Sequence, residues 1–375
     1  MDKKERKGLV VVYDPHNLQQ FIWYYCSYAK DIQWDALCLP NGYKGTYMTE
    51  YCERSGIFNS VLSGEIDYML ISLAGKLALV LRMIWYFITF RRTVFAKKVL
   101  NEYVGDIDQY DEIACLCDSG FVTGLCALLG NEKKVSYFDD GLGDYYERHR
   151  WKSPYLRSVS VYLQSIVLAK MGYACNGRFY FEPTKYSYKY SAITEKMLYR
   201  NYKEMKDIDF SVTDMELYNS IIERTYPSLK DIKWDEFDVV FFTTDLDVFS
   251  PDNYKIYGSM YADHISKAYG GKTVLLKRHP KDSIRYSFRN DISVYEIDSD
   301  IPAELILPYI SGKKIVFSYF SSMIIFMYPY GYSFDIMHSD KLYEENLKSS
   351  KAVVYYGSGA DMKKFCDRFS ENHKG

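Results

Sequence analysis

The sequence predicts an α/β protein built from two doubly wound, parallel-sheet domains that face each other across a central cleft. Three observations point there. Short apolar runs of strand length alternate with longer amphipathic runs from end to end, the pattern of parallel strands covered by helices. A chain of 375 residues exceeds one ordinary core and suits two. Between about Arg178 and Thr213 the text turns polar and aromatic (FYFEPTKYSYKYSAITEK) and loses periodicity. A junction is expected there, dividing the chain into residues 1–190 and 191–375, with the last helix able to pack back on the first domain.

In the first half, GLVVVYD reads as a strand feeding the helix NLQQFIWYYCSYAK; EIACLCD feeds SGFVTGLCALLGN; and KKVSYF runs into DDG. In the second half, DVVFFTTD precedes a helix through Tyr261 to Tyr269. KTVLLKRHP, SVYEID, PAELILPYI, KIVFSYF with SSMIIFMY, and AVVYYGSGADMKKFCDRF follow, each read as a buried strand handing over to a loop or helix. Ligands of such sheets sit beyond the carboxyl ends of the strands, so strand-ending residues carry the functional reading.

Composition narrows the classes. The chain is 48% apolar and 26% charged, which excludes disorder as the default. A formal charge of −2 gives no global positive field for nucleic acid, so an anionic ligand needs a local cluster. Eight scattered cysteines without CxxC spacing fit a reducing cytoplasm. The 39 tyrosines suit clefts with apolar walls and hydroxyl tips. MDKKERK followed by GLVVVY is too short for a signal peptide, so the protein is expected to stay unexported. The apolar stretch from Met69 to Arg92, interrupted by Lys76 and Arg82, reads first as a helix packed among others. An in-plane helix at a membrane surface and a bilayer span are the alternatives.

Several strand ends carry chemistry. Asp139 and Asp140 precede Gly141 after KKVSYF; Asp-Gly is a turn former, and a carboxylate there could also take a proton from a hydroxyl. Lys277, Arg278, His279 and Pro280 end another strand, where the three basic residues suit a phosphate and the proline aims the imidazole. Ser321 and Ser322 open an apolar helical run, as an N-cap or as phosphate ligands. Asp245 with Asp247, and Asp298 with Asp300, match the short D-x-D metal pattern, but no suitably placed histidine joins either pair, and no metal is expected. Gly357 to Ala360 lacks the full glycine-rich fingerprint.

DDG, His-Pro, the IPAE tetrapeptide and Ser-Ser, in this order, resemble the short hallmarks of bacterial sialyltransferases, closest to glycosyltransferase family 52 and its capsule and lipooligosaccharide relatives. The resemblance implies a GT-B arrangement of two Rossmann-like domains. It also implies CMP-sialic acid as donor, a glycan acceptor ending in galactose or sialic acid, and inversion without an obligatory metal or other cofactor. Carried over, Asp140, with Asp139 as the alternative, is the base. His279 faces the CMP phosphate, and Lys277 and Pro280 border the cytidine. Ser321 and Ser322 bind the phosphate, and Glu304 accepts from the ribose. DPHNLQQF resembles the family's first strand-to-helix loop, with Asp14 in place of a small hydroxyl residue. Only Asn17 is carried over from it, to the sugar-facing side with Gly141. Thr243 and Thr244 end the first strand of the second domain. Alternatives are another donor, a UDP-sugar or CMP-Kdo, or a glycan-binding protein without catalysis. A cytoplasmic protein, able to lie on the inner face of the membrane and to pair with a second copy, completes the expectation.

Overall fold

The computed structural model describes residues 5–39, 47–64, 81, 85, 91–115, 121–138, 186–191, 194, 202–244, 254–280, 282–318, 323, 332 and 334–336. The contacts divide the described residues into two compact units, one up to Lys230 and the other from Asp231 on. The α/β class and the pair of Rossmann-like parallel sheets are both present.

The first unit holds a seven-stranded sheet of β1 (Lys7–Val12), β2 (Gln33–Cys38), β3 (Phe58–Ser63), β4 (Glu112–Cys115), β5 (Lys134–Tyr137), β6 (Tyr188–Ser191) and β7 (Glu204–Asp207). The order is β3-β2-β1-β4-β5-β6-β7, every pairing parallel. β6 and β7 lie beyond the expected junction or astride it, so the first unit runs some 40 residues past residue 190. Their sequences, YKYS and EMKD, carry little of the apolar signature of a strand, because β7 is an edge with exposed side chains.

Local chemistry sets the elements. Helix α1 (Pro15–Tyr24) starts where the Asp14 carboxylate accepts from the Asn17 N–H, with Pro15 in the first turn. Helices α2 (Tyr47–Ser55), α3 (Arg92–Val104), α4 (Phe121–Ala127) and α5 (Met215–Thr225) follow. α3 stops at Gly105, which takes φ 75° and returns its N–H to Asn101 O, a conformation that suits glycine. One core packs Leu9, Val11 and Leu37 of the sheet against Phe95, Val99 and Leu100 of α3 and Leu125 of α4. An aromatic cluster of Phe21, Trp23, Tyr24, Trp34, Phe138 and Tyr190 forms a second packed group. Several tyrosines thus serve as core rather than cleft wall, Tyr24, Tyr110, Tyr137, Tyr226 and Tyr261 being essentially inaccessible.

At the amino-terminal end of β4, Glu112 is fully buried and gathers Arg6 Nη2 at 3.2 Å, Lys134 Nζ at 3.0 Å and the Tyr24 hydroxyl. Burial, and next to it the Glu112 charge, push the Tyr24 phenol far up, so it acts as a neutral donor. Removing the carboxylate falls hardest on the buried Tyr24 hydroxyl, which loses its acceptor, since Arg6 is about half exposed and keeps Asp31 at 3.5 Å.

The second unit holds β8 (Val239–Phe242), β9 (Thr273–Lys277), β10 (Ser293–Ile297), β11 (Lys314–Phe317) and β12 (Phe334–Ile336), with α6 (Tyr254–Ala268) between β8 and β9. All its pairings are parallel, in the order β10-β9-β8-β11-β12. PAELILPYI is not a strand: Ala303–Tyr309 is a 3₁₀ helix that buries Leu305, Ile306 and Leu307. Pro302 immediately before it and Pro308 within it remove the N–H donors a ladder requires. The last helix lies outside the described residues.

Glu112→Ala is expected to lower the unfolding free energy by about 2 kcal/mol, read as a drop in the denaturant midpoint, because the buried Tyr24 hydroxyl loses its acceptor and Lys134 its carboxylate. Glu112→Gln should cost less.

Candidate functional site

The second sheet places β8 between β9 and β11, so the chain leaves three neighbouring strands at one carboxyl edge. Phe242 is level with Lys277 on one side and Phe317 on the other. Beyond that register the exits stay linked: Thr243 N–H donates to Lys277 O at 3.0 Å, and Ser318 N–H to Phe242 O at 2.9 Å.

Thr243 and His279 are brought together, with the His279 N–H donating to Thr243 Oγ1 at 3.0 Å. Asp282 locks the turn that follows. Its N–H donates to His279 O at 2.9 Å, and its carboxylate accepts from Ile284 N–H at 3.0 Å and from the Tyr286 hydroxyl at 2.9 Å. The Thr243 hydroxyl hydrogen-bonds the same carboxylate. Burial raises Asp282 above the usual carboxylate range, against the pull of these donors and of Arg278. Asp282 was missed in the sequence; its only signal is an acid two residues after a proline, which reads as an ordinary turn. Thr244 follows, also buried, and Pro280 is exposed at the turn.

The two flanking cations are committed to protein. Lys277 is 3% exposed, and its ammonium donates to Arg278 O at 2.7 Å and Ser299 O at 2.9 Å, tying the exits of β9 and β10 together. Burial pulls its pKa from the ordinary 10.5 down to about 8, opposed by the negative charges of Glu304 and Asp298. Arg278 Nε lies 2.6 Å from Glu296 Oε1, an ion pair bent away from straight hydrogen-bond geometry. Its guanidinium also donates to Ile284 O and sits 5.3 Å from the Tyr286 ring centroid. The expected trio of phosphate-facing cations is therefore reduced: the side chains of Lys277 and Arg278 brace the loop that carries His279. Glu304, half-buried in the first turn of the 3₁₀ helix, belongs to the same cluster through its field on Lys277.

In the first unit, Asn17 is 5% exposed, and its carboxamide oxygen accepts from Tyr13 N–H at 2.9 Å while its own N–H meets Asp14. Asp14 is the helix cap. The acidic pair follows β5 and Phe138, whose carbonyl accepts from the buried Lys189 ammonium at 2.7 Å. Lys189 was passed over because YSYKYSA reads as polar linker. Asp139, Asp140, Gly141, Ser321, Ser322, Asp245 and Asp247 lie outside the described residues, as does the Gly357–Ala360 stretch. Asp298 accepts from the Asp300 N–H at 2.9 Å, so the second D-x-D is a turn. No cluster of three metal-ligating side chains occurs among the described residues.

The family model described as glycosyltransferase family 52 matches residues 131–337, more than half of the chain. Among solved structures, UGT89C1 of Arabidopsis thaliana is similar at 9% identity and a TM-score of 0.45, with 99% of this chain and 95% of that one covered. UDP-GlcNAc 2-epimerase from Neisseria meningitidis, bound to UDP-GlcNAc, is similar at 13% identity and a TM-score of 0.41, covering 97% and 93%. Comparison with curated proteins finds no significant match.

Because Lys277 binds fewer protons folded than unfolded between pH about 8 and 10.5, its burial cost is full below that window and relieved as pH rises through it. The wild type should therefore gain stability over Lys277→Met from pH 8 to pH 10.5, by an amount on the order of 3 kcal/mol. Paired thermal melts across that range check it.

Proposed function

The chain belongs to glycosyltransferase family 52, and from that premise we propose that it is an inverting sialyltransferase. It would move sialic acid from CMP-sialic acid to a hydroxyl of a glycan ending in galactose or sialic acid. The observation that carries the reading is the interlock at the β8 and β9 exits, where Thr243 and Asp282 hold the backbone of His279 on both sides. A histidine whose backbone is so anchored can present its imidazole as a hydrogen-bond donor to the phosphate of the departing CMP. Such a preorganised donor is worth roughly 10²- to 10³-fold in rate.

The remaining roles follow the chemistry of the reaction. CMP leaves as an anion, so donors must meet its phosphate: His279, Ser321 and Ser322 in this proposal. With Lys277 and Arg278 turned to protein partners, the hydroxyls and backbone N–H groups carry more of that load. Glu304 accepts from the ribose hydroxyls, beside the buried Lys277 whose ammonium its charge favours. Asp140, directly before Gly141, takes the proton of the acceptor hydroxyl, with Asp139 as its neighbour. Asn17 faces the sugar from the α1 cap. In this proposal neither the departure of CMP nor the attack of the acceptor uses a metal.

Release of CMP from CMP-sialic acid, measured with acceptors ending in galactose and in sialic acid, tests the reading. Asp140→Asn is expected to lose roughly 10²- to 10⁴-fold in kcat with CMP affinity retained, and His279→Ala to lose about 10²-fold and weaken CMP binding. Turnover of a UDP-sugar or of CMP-Kdo in place of CMP-sialic acid would overturn the donor. Glycan binding without any turnover would overturn the enzyme.

A further inference from the structure

From Asp282 to Arg289 the chain belongs to neither helix nor sheet, yet Ile284 and Tyr286 are buried while Ser283, Arg285 and Ser287 are exposed. That alternation is the mark of an extended strap laid along the second unit. Its inner side is tied down at several points. The Tyr286 ring meets Phe241 of β8 edge-on, with centroids 5.8 Å apart. The Arg278 guanidinium donates to Ile284 O, and the Arg289 N–H donates to Ser266 Oγ of α6 at 3.0 Å.

The seat of the strap on α6 is Gly258. A Cβ at that position would collide with Ile284 Cγ2 and lie 3.4 Å from Ile284 Cδ1, so only glycine admits the isoleucine to this depth. Glycine inside a helix is less favourable than alanine, and close packing is what it provides here. The other end of the strap reaches the site. Asp282 accepts from the Ile284 N–H at 3.0 Å and returns its own N–H to His279 O at 2.9 Å. Thr243 closes the circuit, its hydroxyl meeting both the Asp282 carboxylate and the His279 N–H.

We propose that Gly258 and Asp282 are positioning residues for His279. The seat at Gly258 sets the depth of Ile284, Ile284 sets Asp282, and Asp282 with Thr243 sets the main chain that carries the imidazole. The inference rests on the reading of His279 as a donor to the CMP phosphate, and it extends that reading to α6, a helix to which no role in the transfer has been assigned. The displacement required is small, since moving a group at a reacting centre by 1 Å can cost about 10²-fold in rate.

Transfer from CMP-sialic acid by the full chain, compared among the wild type, Gly258→Ala, Ile284→Ala and the two substitutions together, tests it. Gly258→Ala is expected to lower kcat roughly 10- to 10²-fold with the KM for acceptor unchanged. Ile284→Ala keeps only the Ile284 Cβ, 3.5 Å from a Cβ at position 258 and so in ordinary contact, and the double variant should therefore be faster than Gly258→Ala alone. In a His279→Ala background Gly258→Ala should cost nothing further, because the two act through one group. A second readout needs no turnover: the His279 imidazole resonance of histidine-labelled protein, assigned by its loss in His279→Ala. Gly258→Ala should shift it, and the double variant should return it toward the wild-type position. A shift that appears and reverts in a protein inactive on CMP-sialic acid supports the positioning while it overturns the donor. An unmoved resonance, or an equal loss of kcat with His279 already removed, overturns the proposal. If Gly258→Ala fails to fold, Asp282→Asn decides by the same two readouts.

Discussion

Parallel pairing in the order that leaves β8 between β9 and β11 is the constraint on which the candidate site depends. Parallel strands put all their carboxyl ends at one edge, and the strand order decides which exits are neighbours. The level pairing of Phe242 with Lys277 brings Thr243 to the backbone of the β9 exit, where its N–H and hydroxyl each find a partner. A one-residue slip would turn Lys277 to the opposite face of the sheet and separate Thr243 from His279.

Within that frame the charges divide into bracing and acting groups. A lysine ammonium buried at a strand end needs acceptors, and Lys277 finds two carbonyls and the field of two acids. Arg278 is engaged by a carboxylate, a carbonyl and an aromatic face. Both hold the loop that carries His279. The Glu112 node does comparable bracing at the opposite, amino-terminal end of the first sheet, where no catalytic residue is assigned.

Much of the frame was legible in the sequence because buried parallel strands are written as apolar runs: VVFF, TVLL, KIVF and LVVV sit in the sheets as read. β2 was not, since QWDALC carries Asp35 in mid-strand, paid for by hydrogen bonds from Tyr110 at 3.0 Å and Asn59 at 3.2 Å. The domain junction was misplaced because strands at a sheet's margin are polar and look like linker. ELIL between two prolines has strand composition without the donors a strand needs. At the site, adjacency of Thr243 to His-Pro was readable from strand ends, whereas the inward turn of Lys277 and the lock by Asp282 depend on burial and on contacts distant in sequence.

The central proposal is that the carboxyl ends of β8 and β9, with the 3₁₀ helix that carries Glu304, form a nucleotide site specific for CMP. Hydrogen–deuterium exchange of the full chain with and without CMP tests it most directly. The account predicts slowed exchange in peptides spanning 243–244, 277–284 and 303–305, with UDP giving little effect. Protection confined to the first unit, or equal protection by UDP, would contradict it.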